Sequence, residues 1–213
     1  MARPVNADAE ATRRRILDSA VKLFSARGLE GATVRDVALG AGVTLATVHH
    51  YFGSKDALFE ACIAAVYDGL EGMSEELKQL FVTGAPLEEI LTRAMAVASG
   101  YARKNRTIVR LLVRTSVSTG RVPPRGRVMM ETSFLPVVAE ALGMLTGRSA
   151  LEVRLALQTL VFLVTRYAVQ DPAELVSVLG LPKGERERAF ERLDAHLGQV
   201  ALALLAPRPD TGS

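Results

Sequence analysis

The sequence has few of the residues from which reactive sites are usually built. Its 213 residues include one cysteine, three histidines and no tryptophan. One cysteine cannot form an intramolecular disulfide or a cysteine-based zinc cluster, and three histidines leave little material for another metal site. No glycine-rich phosphate loop, nucleophile elbow, paired-carboxylate site or metal-ligand spacing is present. The sequence therefore argues against an enzyme and predicts no catalytic residue, metal or cofactor.

Long apolar runs are also absent. Hydrophobic residues make up 49% of the chain, which is too many for a disordered protein. No run, however, approaches the ~18 residues that a membrane helix requires. The arginines near the N-terminus precede an amphipathic segment without a small-residue cleavage site, unlike a signal peptide. We therefore expect a soluble, cytoplasmic protein without a membrane partner.

The excess of positive charge is small. Lysine and arginine number 26 against 23 aspartates and glutamates, which gives a formal net charge of +3. A charge of this size does not by itself indicate a nucleic-acid partner. Any prediction of DNA binding must therefore come from a motif.

Apolar residues recur at helical spacing along nearly the whole chain, which predicts an all-α fold. Helix-start signals appear at Thr33, Ser149 and Asp171, each followed three residues later by an acidic side chain. Sustained alternation of apolar and polar residues, the signal of a strand, is absent. The predicted helices lie near residues 9–27, 34–40, 44–51, 55–81, 87–104, 106–119, 126–146, 150–169, 173–179 and 185–205.

A change in helix length near residue 55 divides the chain into two parts. The first three predicted helices are short and closely linked, whereas the later ones are longer and more apolar. We expect a three-helix head at residues 1–54, a larger helical body at 55–206 and a flexible tail at 207–213. The clearest internal loop is 121–126, which contains two consecutive prolines.

The most informative segment is residues 33–59. Thr33 and Thr44 can each cap a short helix, and Gly42 between them suits a tight turn with positive φ. Such a pair forms a helix-turn-helix, whose second helix presents its first turn to base edges in the major groove. Lys55, at the start of the next helix, places a cation where a phosphate would lie. An ordinary helical hairpin can show the same spacing, so spacing alone leaves both interpretations open.

Residues 16–59 resemble the DNA-binding head of the TetR family of transcriptional regulators. The resemblance rests on the segment ILDSAVKLF, the core V-A-x-x-A-G-V, the second helix T-x-x-T-V-x-x-Y-F and the helix start S-K-D-A-L-F. It implies a head that binds double-stranded DNA and a body that binds a ligand and dimerises. The implied function is that of a homodimeric regulator, most often a repressor, which a small and mainly apolar effector releases from a palindromic operator.

The resemblance also implies which residues contact DNA. The family usually has tyrosine at the position of His49, and glycine or proline at that of Ala46. His49 can still donate to a phosphate, more strongly when it is protonated. The implied phosphate contacts are Thr33, Thr47, His49 and Lys55, and the implied base contacts are Arg35, Thr44, Leu45, Ala46 and His50.

The body is expected to hold an effector pocket and a dimer interface. Adaptable methionines and aromatic rings suit an apolar ligand, although they are equally typical of an ordinary core. The candidate pocket residues are Met95, Tyr101, Leu112, Met130, Phe134, Phe162 and Tyr167. The last two long helices are apolar over wide arcs, which predicts a two-fold interface formed by Leu157, Val161, Val164, Leu193, Leu197, Val200 and Leu204.

Other interpretations of individual features remain open. The chain could be a helical ligand-binding or adaptor protein with a vestigial head. The arginines at positions 13 to 15 could form an arm that touches DNA or a solvated helix face. Cys62 could be a redox thiol, but small-hydrophobe packing is the favoured interpretation, because no basic neighbour in the local sequence lowers its pKa.

Overall fold

A computed structural model describes residues 5–81, 84–121 and 135–207 of the chain. Every regular element within these ranges is an α-helix, which confirms the predicted fold class. No helix in the described ranges combines the length and apolarity needed to cross a bilayer. The helices, numbered in chain order, are α1 (Val5–Gly31), α2 (Val34–Ala41), α3 (Leu45–Phe52), α4 (Lys55–Phe81), α5 (Leu87–Lys104), α6 (Arg106–Thr119), α7 (Leu135–Thr146), α8 (Ala150–Val169), α9 (Pro172–Val178) and α10 (Arg186–Leu205).

The head is organised around an apolar cluster to which α1, α2, α3, α4 and α6 all contribute. Ile16 and Val48 are almost completely buried in it. Phe24 of α1 and Phe59 of α4 pack edge to face, with ring centroids 5.3 Å apart. Leu111 of α6 is only 1% exposed and belongs to the same cluster. The core of the head therefore includes side chains from beyond residue 54.

Helix α1 changes direction at Gly28, where φ is 76°. The guanidinium of Arg114, on α6, donates to the carbonyl oxygen of Ala26 at 2.9 Å. A Cβ at Gly28 would lie 3.0 Å from Nε of Arg114. Glycine is therefore needed here both for the positive φ and for the close approach of α6.

The body is organised around a second cluster, formed mainly by α5, α7, α8, α9 and α10. Helices α5 and α10 are also joined by charge. Arg103 donates to both carboxylate oxygens of Asp194, at 2.6 and 2.8 Å. Its guanidinium lies over the ring of Phe190, 4.7 Å from the centroid. Such a bidentate, partly buried pair fixes the relative position of the two helices.

The structure places the predicted interface residues in different environments. Val164, Leu193 and Leu197 are buried inside their own chain, which leaves them little surface for a second copy. Leu157, Val200 and Leu204 also pack against this inner core, because α5 and α8 cover the apolar arc of α10. Val161, which is 39% exposed, lies at the edge of the outer face of α8.

Two of the predicted pocket residues also lie elsewhere than expected. Leu112 packs against the head cluster rather than the body, and Phe162 is 64% exposed on the outer face of α8. Neither therefore lines an interior cavity of a single chain. Met95 is buried in the body cluster, and Tyr101 and Tyr167 are half-buried. Met130, Phe134, most of the predicted loop at 121–126, the beginning of the predicted helix at 126–146 and nearly all of the tail at 207–213 lie outside the described residues.

Cys62 is completely buried in the head cluster. Burial raises the pKa of its thiol to about 12. The thiol is therefore protonated at neutral pH and is a poor nucleophile. This position supports the interpretation of Cys62 as a small packing residue.

The crossing of α1 and α2 generates a testable prediction. The hydroxyl of Ser19 donates to the carbonyl oxygen of Val37 at 3.0 Å, and a Cβ at Gly40 would overlap that hydroxyl. We expect Gly40→Ala to lower the free energy of unfolding by about 1–3 kcal/mol through overpacking. In a Ser19→Ala background the new methyl meets only the Ser19 Cβ position at 3.6 Å, so its cost should largely disappear. A urea-unfolding double-mutant cycle measures this coupling, and equal costs in both backgrounds would contradict it.

Candidate nucleic-acid interface

Helices α2 and α3 are joined by a glycine turn, and the two predicted caps are confirmed. The side-chain oxygen of Thr33 accepts from the backbone N–H of Asp36, and that of Thr44 accepts from Thr47, both at 3.1 Å. Gly42 between the helices has φ 65°. These caps satisfy N–H groups that would otherwise lack a partner at the helix starts. The sequence thus forms the helix-turn-helix locally.

Helix α3 has one buried and one exposed face. Val48 is 1% exposed and fixes the buried side. At about 100° per residue, Ala46 and His50 lie opposite Val48, while Thr47 and His49 lie on the two flanks. A helix in the major groove has base edges in front of it and a phosphate strand on each side. The arrangement therefore suits base contact at Ala46 and His50, and phosphate contact at Thr47 and His49.

Two cations lie at the ends of the neighbouring helices. Arg35 is exposed on the first turn of α2, and Lys55 is the first residue of α4. In the described part of the chain neither makes an ion pair, whereas Asp36 is paired with Arg27 at 3.1 Å. The first turn of a helix also attracts anions through its free N–H groups. Both cations can therefore contact a phosphate or a base edge.

The side chain of His49 makes a hydrogen bond at the end of α3. Its Nδ1 lies 2.8 Å from the carbonyl oxygen of Gly53. A carbonyl oxygen can only accept, so Nδ1 must carry the hydrogen in this contact. The neighbouring ring of His50 packs edge to face on Tyr51, with centroids 5.5 Å apart. The two histidines therefore have different surroundings although they are adjacent.

Arg13 makes a contact that the sequence did not predict. Its guanidinium lies over the ring of Phe52, 5.6 Å from the centroid. This cation–π contact joins the first part of α1 to the end of α3. The one sequence signal for this region is the run of three adjacent arginines at positions 13 to 15. Such a run does not identify Phe52 as the partner of Arg13.

The structure brings all nine predicted DNA-contact residues into one short stretch of the head. They lie on α2, on α3 or at the residues that cap and start these helices and α4. Thr44, Leu45, Ala46, His49 and His50 are exposed, and Thr47 and Lys55 are half-buried. Their contacts with DNA remain predictions.

The chain matches a family model over part of its length and also matches individual curated proteins. Residues 16–62 match the family model described as "Bacterial regulatory proteins, tetR family". Over 103 residues the chain is 30% identical to the "Probable HTH-type transcriptional regulator YttP" of Bacillus subtilis (strain 168), covering 48% of this chain and 49% of that protein. It is 41% identical over 71 residues to the "HTH-type transcriptional regulator SrpR" of Pseudomonas putida, with 33% of each chain covered. The match thus spans about half of the first of these curated relatives and a third of the second.

A solved structure covers much more of the chain. A TetR-like transcriptional regulator from Rhodococcus sp. RHA1 is 25% identical, with a TM-score of 0.57 over 95% of this chain and 98% of that one. The structural similarity therefore extends beyond residues 16–62 into the helical body. This match supports the same overall helical architecture for this chain as for that solved structure.

The cap of α3 can be tested separately from DNA binding. Thr44→Ala removes the acceptor for the N–H of Thr47 and should lower the free energy of unfolding by about 1 kcal/mol. Thr44→Ser keeps the hydroxyl and should retain most of the stability. Urea unfolding followed by circular dichroism measures both values. Equal stability of the two variants would show that this cap does not stabilise the head.

Proposed function

We propose that this chain, which belongs to the tetR family of bacterial regulatory proteins, is a sequence-specific DNA-binding transcriptional regulator. It acts as a homodimeric repressor, and a small, mainly apolar effector releases it from a palindromic operator. The observation that carries the proposal is the exposed face of α3. It is flanked by two capped helix starts and by two cations, Arg35 and Lys55, that form no ion pair within the described residues. A helical adaptor with a vestigial head is not favoured, because a vestigial head has no need to keep these features together.

The proposed docking places α3 in the major groove. Thr44, Leu45, Ala46 and His50 read base edges, and Leu45 and Ala46 do so through apolar contact such as with a thymine methyl. Arg35, from the first turn of α2, reads a guanine edge through its two-pronged guanidinium. The phosphates on the two flanks are bound by the remaining contacts, which are Thr33, Thr47, His49 and Lys55.

The proposed dimer uses the outer face of α7 and α8. Exposed apolar side chains recur there at helical spacing, and α7 packs against α8, so their outer faces form one surface. An exposed apolar patch of this kind on the surface of a protein indicates contact with another protein. A two-fold axis would pair this patch with the identical patch of a second copy. Its residues are Val137, Met144 and Leu145 on α7 and Leu151, Leu155 and Phe162 on α8.

The proposed effector site lies in the body, near Met95, Tyr101 and Tyr167. Met95 offers an adaptable apolar surface, and the two tyrosines each combine an aromatic wall with a hydroxyl. Burial raises the pKa of the Tyr101 phenol, so its hydroxyl stays neutral and can donate a hydrogen bond. An effector acts here by binding more tightly to the arrangement of the dimer that does not fit DNA.

The DNA contacts can be tested once selection from a random DNA library has given the preferred sequence. Lys55→Ala should weaken binding to all sequences about equally and reduce the salt slope by about one unit. Arg35→Ala should instead cost roughly 1–3 kcal/mol at one base position in each half-site. Titrations across salt and sequence separate the two results. A uniform loss for Arg35→Ala would contradict base reading, and unchanged binding in both variants would contradict the docking.

The dimer face can be tested by placing a charge at its centre. Leu155 is 61% exposed in the single chain, so Leu155→Glu should leave the fold intact but bury an unpaired carboxylate in the dimer. We expect a folded monomer in sedimentation velocity, with weaker DNA binding. Val178→Glu is the matched control, because Val178 is also exposed but lies on α9, outside the proposed face. A Leu155→Glu variant that remains a dimer would refute the interface.

A further inference from the structure

The hydrogen bond between His49 and Gly53 favours one tautomer of the neutral ring, the one that carries its hydrogen on Nδ1. Nδ1 donates to the Gly53 carbonyl oxygen over 2.8 Å. A neutral imidazole carries a single N–H, so its Nε2 then has a lone pair and no hydrogen. His49 is exposed, so Nε2 is free to meet a partner outside the protein. In the neutral state that partner has to be a hydrogen-bond donor.

A DNA phosphate is the wrong partner for this neutral ring. Phosphate oxygens only accept hydrogen bonds, and two lone pairs that face each other repel. The ring could turn its hydrogen to Nε2, but the contact with Gly53 would then be lost. The imidazolium avoids this conflict because both of its nitrogens carry hydrogens. It can keep the Gly53 contact and also form a charge-assisted bond with the phosphate.

We propose that binding of DNA takes up one proton at His49 in each head, so that the ring bridges the Gly53 carbonyl and a phosphate as an imidazolium. This inference rests on the proposed function, because it requires that α3 enters the major groove. It adds a dependence on pH to that function. The protonated form is the one that binds, so the affinity for DNA falls as the pH rises through the range in which histidine titrates.

His50, which lies beside His49 on α3, is the other histidine on this helix and therefore the natural control for this dependence. Between about pH 6 and 8.5 the acidic side chains, lysine and arginine keep a constant charge. The third histidine, His196, lies on α10 in the body. The helices that neighbour α3 also carry charged side chains, among them Arg13 on α1, whose guanidinium lies over the Phe52 ring, Arg35 and Asp36 on α2, and Lys55 and Asp56 on α4.

The experiment uses a random-sequence DNA duplex, because a phosphate contact does not depend on the base sequence. Fluorescence anisotropy at constant ionic strength gives the dissociation constant of the full-length protein from about pH 6 to about pH 8.5. For the unaltered protein we expect the affinity to fall by up to about tenfold per head for each pH unit over the interval in which the free ring is neutral and the bound ring is protonated. His50→Gln is the matched control and should keep the same pH slope, even where its absolute affinity differs.

His49→Tyr should remove the pH slope, because a phenol donates to phosphate and does not titrate in this range. His49→Gln provides a second donor that does not titrate and should give the same flat profile. Calorimetry in two buffers with different ionisation enthalpies then counts the protons, with about one taken up per head by the unaltered protein and about none by His49→Tyr. Nitrogen-15 spectra of the free protein at high pH should show the Nδ1–H tautomer for His49.

The outcomes separate this inference from the function on which it rests. A flat profile for the unaltered protein would overturn it, as would a slope that persists in His49→Tyr or disappears in His50→Gln. An Nε2–H tautomer in the free protein would also overturn it. If neither the random duplex nor sequences selected from a library bind at any pH, the proposed function fails, and this inference fails with it.

Discussion

Helix α6 packs against two hydrophobic cores at once, and the position of the head relative to the body depends on this packing. Val109 is buried in the body cluster, whereas Leu111 is buried in the head cluster. Residues two apart on a helix point roughly 200° apart, so the two clusters contact opposite faces. At one end Arg106 donates to two carbonyls at the C-terminus of α8, and further along Arg114 donates to a carbonyl of α1. A shift of α6 therefore disturbs both cores together.

Features that depend on near neighbours in the chain could be predicted from the sequence. The caps at Thr33, Thr44, Ser149 and Asp171 and the turn at Gly42 each involve residues at most five positions apart, and the structure confirms them all. The residues of the candidate DNA site all lie between positions 33 and 55, so a local pattern can propose them before the tertiary structure is known. Their contacts with DNA stay a prediction.

Features that depend on distant contacts could not be predicted in this way. Arg103 and Asp194 are 91 residues apart, and nothing near either one identifies the other. The spacing of apolar residues also does not show which side of a helix packs against the core of its own chain and which side stays exposed. Helix α8 has Leu160 on its inner side and Leu155 on its outer side, and the two belong to different environments. Leu193 and Leu197, which the periodicity of α10 placed in a dimer interface, are buried within their own chain because α5, far away in sequence, covers the arc of α10.

Because the net charge is small, the proposed DNA binding depends on having two heads in one dimer. With a formal charge of +3, the protein has too weak an overall field to attract DNA strongly. Under the proposed function, affinity has to come from a few cations at helix ends, such as Arg35 and Lys55, and each phosphate contact releases roughly one counterion. In the proposed dimer a second head doubles these contacts and binds at a high effective concentration. The apolar surface of α7 and α8 would then support DNA affinity by joining the two heads, without itself meeting a phosphate.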